Sequence, residues 1–335
     1  MAKAVPMSLF MLRFMKLESG VTPSTEISCE VSSPLEAIRI KCVTDGPLCL
    51  SLPHVMEQDI RLYGLKWHNN SCSFDTILTV LLYIFHILSK DEKRKFVSSW
   101  GSFGKIILGI NVLSSDSVAC GKSQMLPFFW RNPTFQPGTF YSLETVYEHI
   151  TNLIDGDDDI VRIKYDVTKI CNEVGCPGII STRHLNTRRQ LSFFESFRAN
   201  DNLPPDISVA ALMSNYWERR LDKCHTCSHP LSIFRTFDGH PSLLTVSIGD
   251  MMSSIEKEIF YKEVKYSIFA VGYRGGMHFI ALIKLQNEIF EYDGMVQDGL
   301  LRHVGNNVEL FTNIIHQTTS TEMKAMIIWY LRSPT

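Results

Sequence analysis

The stretch Gly64-Leu65-Lys66-Trp67-His68-Asn69-Asn70-Ser71-Cys72-Ser73-Phe74-Asp75-Thr76-Ile77-Leu78 sets one cysteine at the junction of a polar turn and an apolar helix. From Phe74 onward, Ile77, Leu78, Leu81, Leu82, Phe85 and Leu88 recur at helical spacing, which predicts a buried helix over 73–88. Asn69, Asn70 and Ser71 supply cap-type side chains just before it. Cys72 therefore falls at the first turn, where unpaired N–H groups and the positive end of the helix dipole favour a thiolate. The expected effect is a cysteine pKa lowered from its free value of roughly 8.5. Alone, such a cysteine reads first as a small apolar core residue. It becomes a candidate nucleophile only if a histidine and an orienting acid are found elsewhere in the chain.

Working outward from that helix, the partner stretch is Tyr266-Ser267-Ile268-Phe269-Ala270-Val271-Gly272-Tyr273-Arg274-Gly275-Gly276-Met277-His278-Phe279-Ile280-Ala281-Leu282-Ile283. Two β-type runs flank a turn at Gly275-Gly276, a hairpin signal, and His278 opens the second run. The chain turns again at Gln286-Asn287, runs through Glu288–Tyr292 and delivers Asp293 just before Gly294. In such a meander His278 and Asp293 are expected side by side, with the carboxylate fixing the imidazole tautomer and the other ring nitrogen left for a thiol. His68, close to Cys72 in sequence, competes as the base.

The chain between and around these stretches is ordinary in composition. Its 335 residues, 45% hydrophobic and 20% charged with net charge -2, suit one large domain or two modest ones, and argue against a nucleic-acid or membrane surface as main partner. No apolar run is long enough for a membrane span, and the segment near Val5–Leu12 lacks the features of a secretory signal. Nine cysteines fit a reducing compartment, cytosol or nucleus, better than a disulfide framework. Residues 1–60 carry a Ser/Thr/Pro-bearing linker and short β-like runs, and no chemistry is assigned to them. From Gly64 to about Trp130 the pattern is helical, with helices expected at 73–88 and 92–100 and a helix or strand near 105–112, and another helix is expected after the cap-type Ser142. Pro127, Pro133 and Pro137 are expected to break the chain. Asp155 to Asp159 read as a plain acidic turn, lacking the spacing of a calcium loop. From Ile160 to Phe237 short β-type runs carry two cysteine pairs. Strands are then expected at 242–248, 263–273, 278–285, 288–292 and 325–331. This order of helices, β insert and antiparallel sheet is α+β.

These residues resemble the ubiquitin-specific protease family of papain-like cysteine peptidases. Gly64-Leu65-Lys66 with Asn70-Ser71-Cys72-Ser73-Phe74-Asp75 is similar to its cysteine box. Tyr266–Val271, Gly275-Gly276, His278-Phe279-Ile280-Ala281 and Phe290-Glu291-Tyr292-Asp293 are similar to its histidine box and following acid. Ser242–Ile248 and Ala325–Arg332 resemble strands that precede and close that unit. The resemblance implies an N-terminal extension over 1–60 and a catalytic domain over 61–332, made of a helical thumb (61–159), a zinc-finger-like β fingers insert (160–239) and an antiparallel palm (240–332). It also implies Cys72 as nucleophile, His278 as base and Asp293 as its orienting acid. Where the family has an oxyanion asparagine, this chain has Trp67, so Asn69 or Asn70 is expected to serve together with the Cys72 N–H. Asp75 stands where an asparagine is usual, and Gly294 replaces a second acid. Cys72-x-x-Asp75-x-Ile77-Leu78 with His278-Phe279 also resembles the divergent SUMO-isopeptidase branch.

Cys171-x4-Cys176 and Cys224-x2-Cys227 are two knuckle-like pairs that can converge on one structural Zn²⁺, with His225 and His229 as alternative ligands. In the family such a zinc sits in the insert that grips ubiquitin. Cys29, Cys42, Cys49 and Cys120 are expected to be ordinary thiols. The function that follows is removal of ubiquitin from protein lysines by a cysteine-type isopeptidase. The alternatives are a SUMO or other ubiquitin-like-modifier isopeptidase, an inactive modifier-binding module and, from the cysteine pairs alone, a zinc-ribbon nucleic-acid protein.

Overall fold

Helix α1 (Cys72–Ile87) begins one residue earlier than the apolar period suggests and is buried over Cys72–Phe85. A helix apolar on all sides needs neighbours on all sides, and those neighbours define the fold. The computed structural model describes residues 61–153, 160–171, 173–176, 189–191, 194–195, 209, 223–248, 255–318 and 322–333, all within the unit Thr44–Thr335. The extension over 1–60 and the acidic turn Asp155–Asp159 lie outside the described residues.

Helix α2 (Lys90–Gly109) starts in a capping box, with Ser89 and Glu92 each accepting from the other's backbone N–H, and kinks at Gly101, whose φ is 53°. Helix α3 (Ser115–Trp130) falls inside the stretch expected to be helical up to about Trp130, an expectation that set no separate bounds for it. Pro127, read as a chain break, sits inside its last turn, where few backbone bonds remain to be lost. Helix α4 (Leu143–Asn152) is capped by Ser142, whose side chain accepts from Thr145 N.

The stretch between the helices and the main sheet contains β1 (Ile163–Cys171), β2 (Arg189–Leu191) and β4 (Leu231–Asp238), a three-stranded sheet in the order β2-β1-β4. The main sheet runs β10 (Arg302–Gly305), β9 (Glu288–Tyr292), β8 (His278–Leu285), β7 (Val264–Gly275), β12 (Glu322–Arg332), β5 (Leu243–Ser247), β3 (Phe194–Glu195). Strand β11 (Ile315–Gln317) pairs with β12, and β6 (Glu258–Tyr261) pairs with β7. Strand β3 joins β5 in parallel, while the meander from β7 to β10 is antiparallel. Glu263, expected to open a strand, instead forms a tight turn with Lys262, both at positive φ (67° and 47°), the geometry a two-residue hairpin needs.

Alternate residues of β12 face opposite sides. Ile327 and Trp329 join the helices in one apolar cluster, and Ile328 and Tyr330 join a second cluster on the other face. Covering both faces accounts for the unbroken apolar run Ala325–Leu331. Helix α4 is tied to the sheet by the Tyr147–Thr245 hydroxyl bond of 2.8 Å. Among the described residues no helix is long and apolar enough to cross a membrane. Cys120, expected as an ordinary thiol, is instead disulfide-bonded.

Candidate active site

The turn before α1 is held from three directions. Gly64 N donates to Gly299 O at 2.8 Å and Trp67 N to Gly294 O at 2.8 Å. Leu65 N donates to Thr79 Oγ1 at 3.0 Å, and Tyr292 OH donates to Leu65 O. These contacts require small residues. A Cβ at Gly64 would lie 2.5 Å from the Tyr292 ring, and one at Gly294 would lie 2.7 Å from its hydroxyl. The position where the family carries a second acid is thus filled by the approach of the cysteine turn to the end of β9.

Asp293, immediately after β9, is thereby fixed beside the turn, and its Oδ1 lies 2.9 Å from His278 Nε2. Tyr292 pairs with Ala281, so Asp293 lies just past the paired stretch and reaches the histidine by its side chain. Met295 N also donates to Oδ1, at 2.9 Å. The Nε2–H of a neutral imidazole donates to this carboxylate, which leaves Nδ1 as the basic nitrogen. His278 Nδ1 is buried and has no hydrogen-bond partner among the described residues.

The first turn of α1 docks on the start of β8. Cys72 Sγ lies 3.7 Å from the carbonyl oxygen of Met277, the residue before His278, and Thr76 Oγ1 lies 3.5 Å from Phe279 O. Cys72 is 3% exposed. Burial pushes its thiol up to about 11 and the Asp75 carboxylate adds to this, while the backbone N–H groups of Ser73, Phe279 and Cys72 pull the other way. The lowered pKa expected at a helix start is therefore corrected: the N–H groups act as expected but desolvation outweighs them. The resting group is a neutral thiol, suited to donating toward Met277 O.

Asn69 and Asn70 both take left-handed backbone, with φ of 50° and 61°. Asn70 Nδ2 donates to Gly138 O at 2.8 Å, and a Cβ at Gly138 would lie 3.2 Å from Asn69 Oδ1. The 131–141 loop thus walls the turn that carries both asparagines. The ring of His68 is not what ties it to this turn. Its backbone N–H donates to Ser71 Oγ at 2.9 Å, and the residue is exposed. Trp67 packs against the helical core.

Sequence reasoning missed Lys122. It lies on helix α3, and its Nζ reaches Asp75 Oδ1 at 2.6 Å beneath the cysteine turn. A lysine within an apolar helical stretch was the available signal.

Elsewhere, the sulfur atoms of Cys171, Cys176, Cys224 and Cys227 all lie within 4.8 Å of one another. Cys171 and Cys227 are 3.4 Å apart and Cys176 and Cys224 are 3.8 Å apart, near the about 3.8 Å between ligands of a tetrahedral zinc–thiolate site. Gly175 at φ +82° and Ser228 at φ 60° make the two tight turns. His229 is engaged by Glu173 at 3.3 Å, and the group that fits a metal consists of the four cysteines without His225 or His229.

No family model matches the chain, and no curated protein matches it. Solved structures do. The SAGA DUB module Ubp8/Sgf11/Sus1/Sgf73 bound to monoubiquitin aligns with a TM-score of 0.54 at 13% identity, over 85% of this chain and 73% of that one. The same module bound to ubiquitin aldehyde aligns with a TM-score of 0.54 at 12% identity, over 84% and 71%. A yeast SAGA DUBm structure gives 0.52 and 12%, over 84% and 70%. At this identity the likeness is one of fold.

Proposed function

We propose that this chain is a thiol-dependent isopeptidase of deubiquitinase type, hydrolysing the bond between the C-terminal glycine of ubiquitin and a protein lysine. The observation that carries this reading is the 2.9 Å pairing of His278 Nε2 with Asp293 at the strand end on which the Cys72 turn is docked. Support comes from a fold shared with a module whose structures hold monoubiquitin and ubiquitin aldehyde. Residues 61–159, 160–239 and 240–332 then act as thumb, fingers and palm, with 1–60 an extension of unassigned role. A reducing cytosol or nucleus suits a thiol catalyst.

In this mechanism Cys72 Sγ attacks the glycine carbonyl carbon while its proton passes to His278 Nδ1. Asp293 holds the ring by Nε2 and stabilises the imidazolium. The backbone N–H of Cys72, with Asn69 or Asn70, steadies the oxyanion. The amine leaves with the proton from Nδ1, and a thioester remains on Cys72. Water then gives a proton to Nδ1, attacks the thioester and releases the glycine carboxylate and the free thiol. Cys171, Cys176, Cys224 and Cys227 would hold a zinc ion, whose contribution is structural because four thiolates fill its tetrahedron.

The buried neutral thiol and Trp67 in place of an oxyanion asparagine favour a second reading, a modifier-binding module without turnover. The sequence likeness to the SUMO-isopeptidase branch leaves the modifier to the test. Ubiquitin and SUMO propargylamide probes are applied under reducing conditions to the wild type and to Cys72→Ala. A probe adduct on Cys72, absent in the variant, is the expected result. Binding of a modifier with no adduct supports the second reading and overturns the first.

A further inference from the structure

Asp75 sits one helical turn after Cys72 and is fully buried. A carboxylate is a poor choice there, because water is excluded and the reactive sulfur lies on the same face of the helix. Its counter-charge comes from a different element. Lys122, on α3, is 8% exposed and its ammonium has three partners: Asp75 Oδ1 at 2.6 Å, Lys66 O at 2.5 Å and Ser71 Oγ at 3.1 Å. The contact with Asp75 is an ion pair and the other two are hydrogen bonds, so the ammonium is held from three sides.

Ser71 closes the network. Its hydroxyl donates to Asp75 Oδ2 and accepts from Lys122 Nζ and from His68 N. One lysine thereby binds both ends of the 66–71 turn and the carboxylate below it. A buried ion pair is seldom better for stability than an apolar pair of similar volume, which leaves its location as the reason for it.

We propose that Lys122 is a positioning residue of this site, holding the 66–71 turn against α1 and offsetting the Asp75 charge that faces the Cys72 sulfur. This rests on the reading of Cys72 as the nucleophile. Burial pushes the Asp75 carboxyl up to about 7 against the pull of Lys122 and Ser71, so the carboxylate is charged through the alkaline range in which the thiol titrates. The other titratable groups facing this pocket are Tyr292 from β9, pushed upward by burial and then by Asp75, Asp293 and Cys72, together with Asp293 and His278. All three stay unchanged in the variants below.

The test is the pH profile of Cys72 alkylation by iodoacetamide, followed by mass spectrometry of the Cys72 peptide, in the wild type, Lys122→Met, Asp75→Asn and the double variant. Circular dichroism checks that each is folded. Asp75→Asn is expected to move the alkylation midpoint to lower pH and speed labelling at pH 8 by about tenfold, the factor that one pKa unit represents. Lys122→Met is expected to move the midpoint upward, and the double variant to return toward wild type. A purely structural role would move both single variants the same way. Shifts of the same sign, or no shift in folded variants, overturn the proposal. If Lys122→Met fails to fold, Asp75→Asn decides alone, and an unchanged midpoint is the refuting result. Alkylation needs no modifier, so the two failures are distinguishable: an absent ubiquitin adduct defeats the peptidase reading on which this one rests, whereas an unmoved alkylation midpoint defeats the role given to Lys122.

Discussion

At the scale of single residues, the His278–Asp293 pair makes a graded prediction. Asp293 does two things through Oδ1: it accepts from the histidine ring at 2.9 Å and from Met295 N at 2.9 Å. An asparagine carbonyl can still accept both bonds and keep Nδ1 as the basic nitrogen, but it lacks the charge that stabilises an imidazolium. An alanine loses the tautomer as well. On a fluorogenic ubiquitin substrate, kcat for Asp293→Ala is expected to fall by about 10²- to 10⁴-fold, with Asp293→Asn between that and wild type. Equal loss in the two variants would mean that the carboxylate, and not the tautomer, is what the site uses. The thiol adds a residue-scale lesson. The helix start at Cys72 was legible from Asn69-Asn70-Ser71 and the apolar period. The burial that drives its pKa to about 11 was not, because it depends on β8 packing against the helix from some 200 positions away.

At the scale of elements, the cysteine cluster should behave as a joint between β1 and the turn that leads into β4. Cys171 ends β1 opposite Leu231, the first residue of β4, so a metal there would clamp the open end of that antiparallel pair. The purified chain is expected to carry about one zinc per molecule by atomic absorption. Cys224→Ser or a strong chelator should remove it, expose the 160–239 stretch to limited proteolysis and leave the main-sheet strands protected. Zinc-free protein with an unchanged cleavage pattern would overturn the metal assignment. Elements with a strong period, α1 and the β7–β8–β9 meander, were legible in the sequence because their apolar residues have one arrangement that buries them. Helix α3 was legible only as the end of a helical stretch reaching about Trp130, without a start of its own, and the role of Lys122 depends on a packing against the cysteine turn that no local period shows. Strands β10 and β11, of 4 and 3 residues, are too short to show a period and exist by pairing with neighbours.

At the scale of the whole molecule, the site depends on two layers meeting, since Cys72 comes from the helices and His278 and Asp293 from the sheet. The layers share one buried seam. Trp329, fully buried in β12, belongs to the helical cluster and stands 6.2 Å from the Tyr147 ring of α4, while Ser242 of the sheet side donates to Glu92 of α2. Such a seam predicts that helices and sheet unfold together. Trp329→Ala should therefore cost about 3–5 kcal/mol and shift the urea midpoints of helical circular dichroism and of tryptophan fluorescence by the same amount. If the helical signal instead persisted past the loss of the sheet, the layers would be independent units. Packing between them would then not be what brings the Cys72 sulfur to His278, and a closing motion on substrate binding would have to supply the approach.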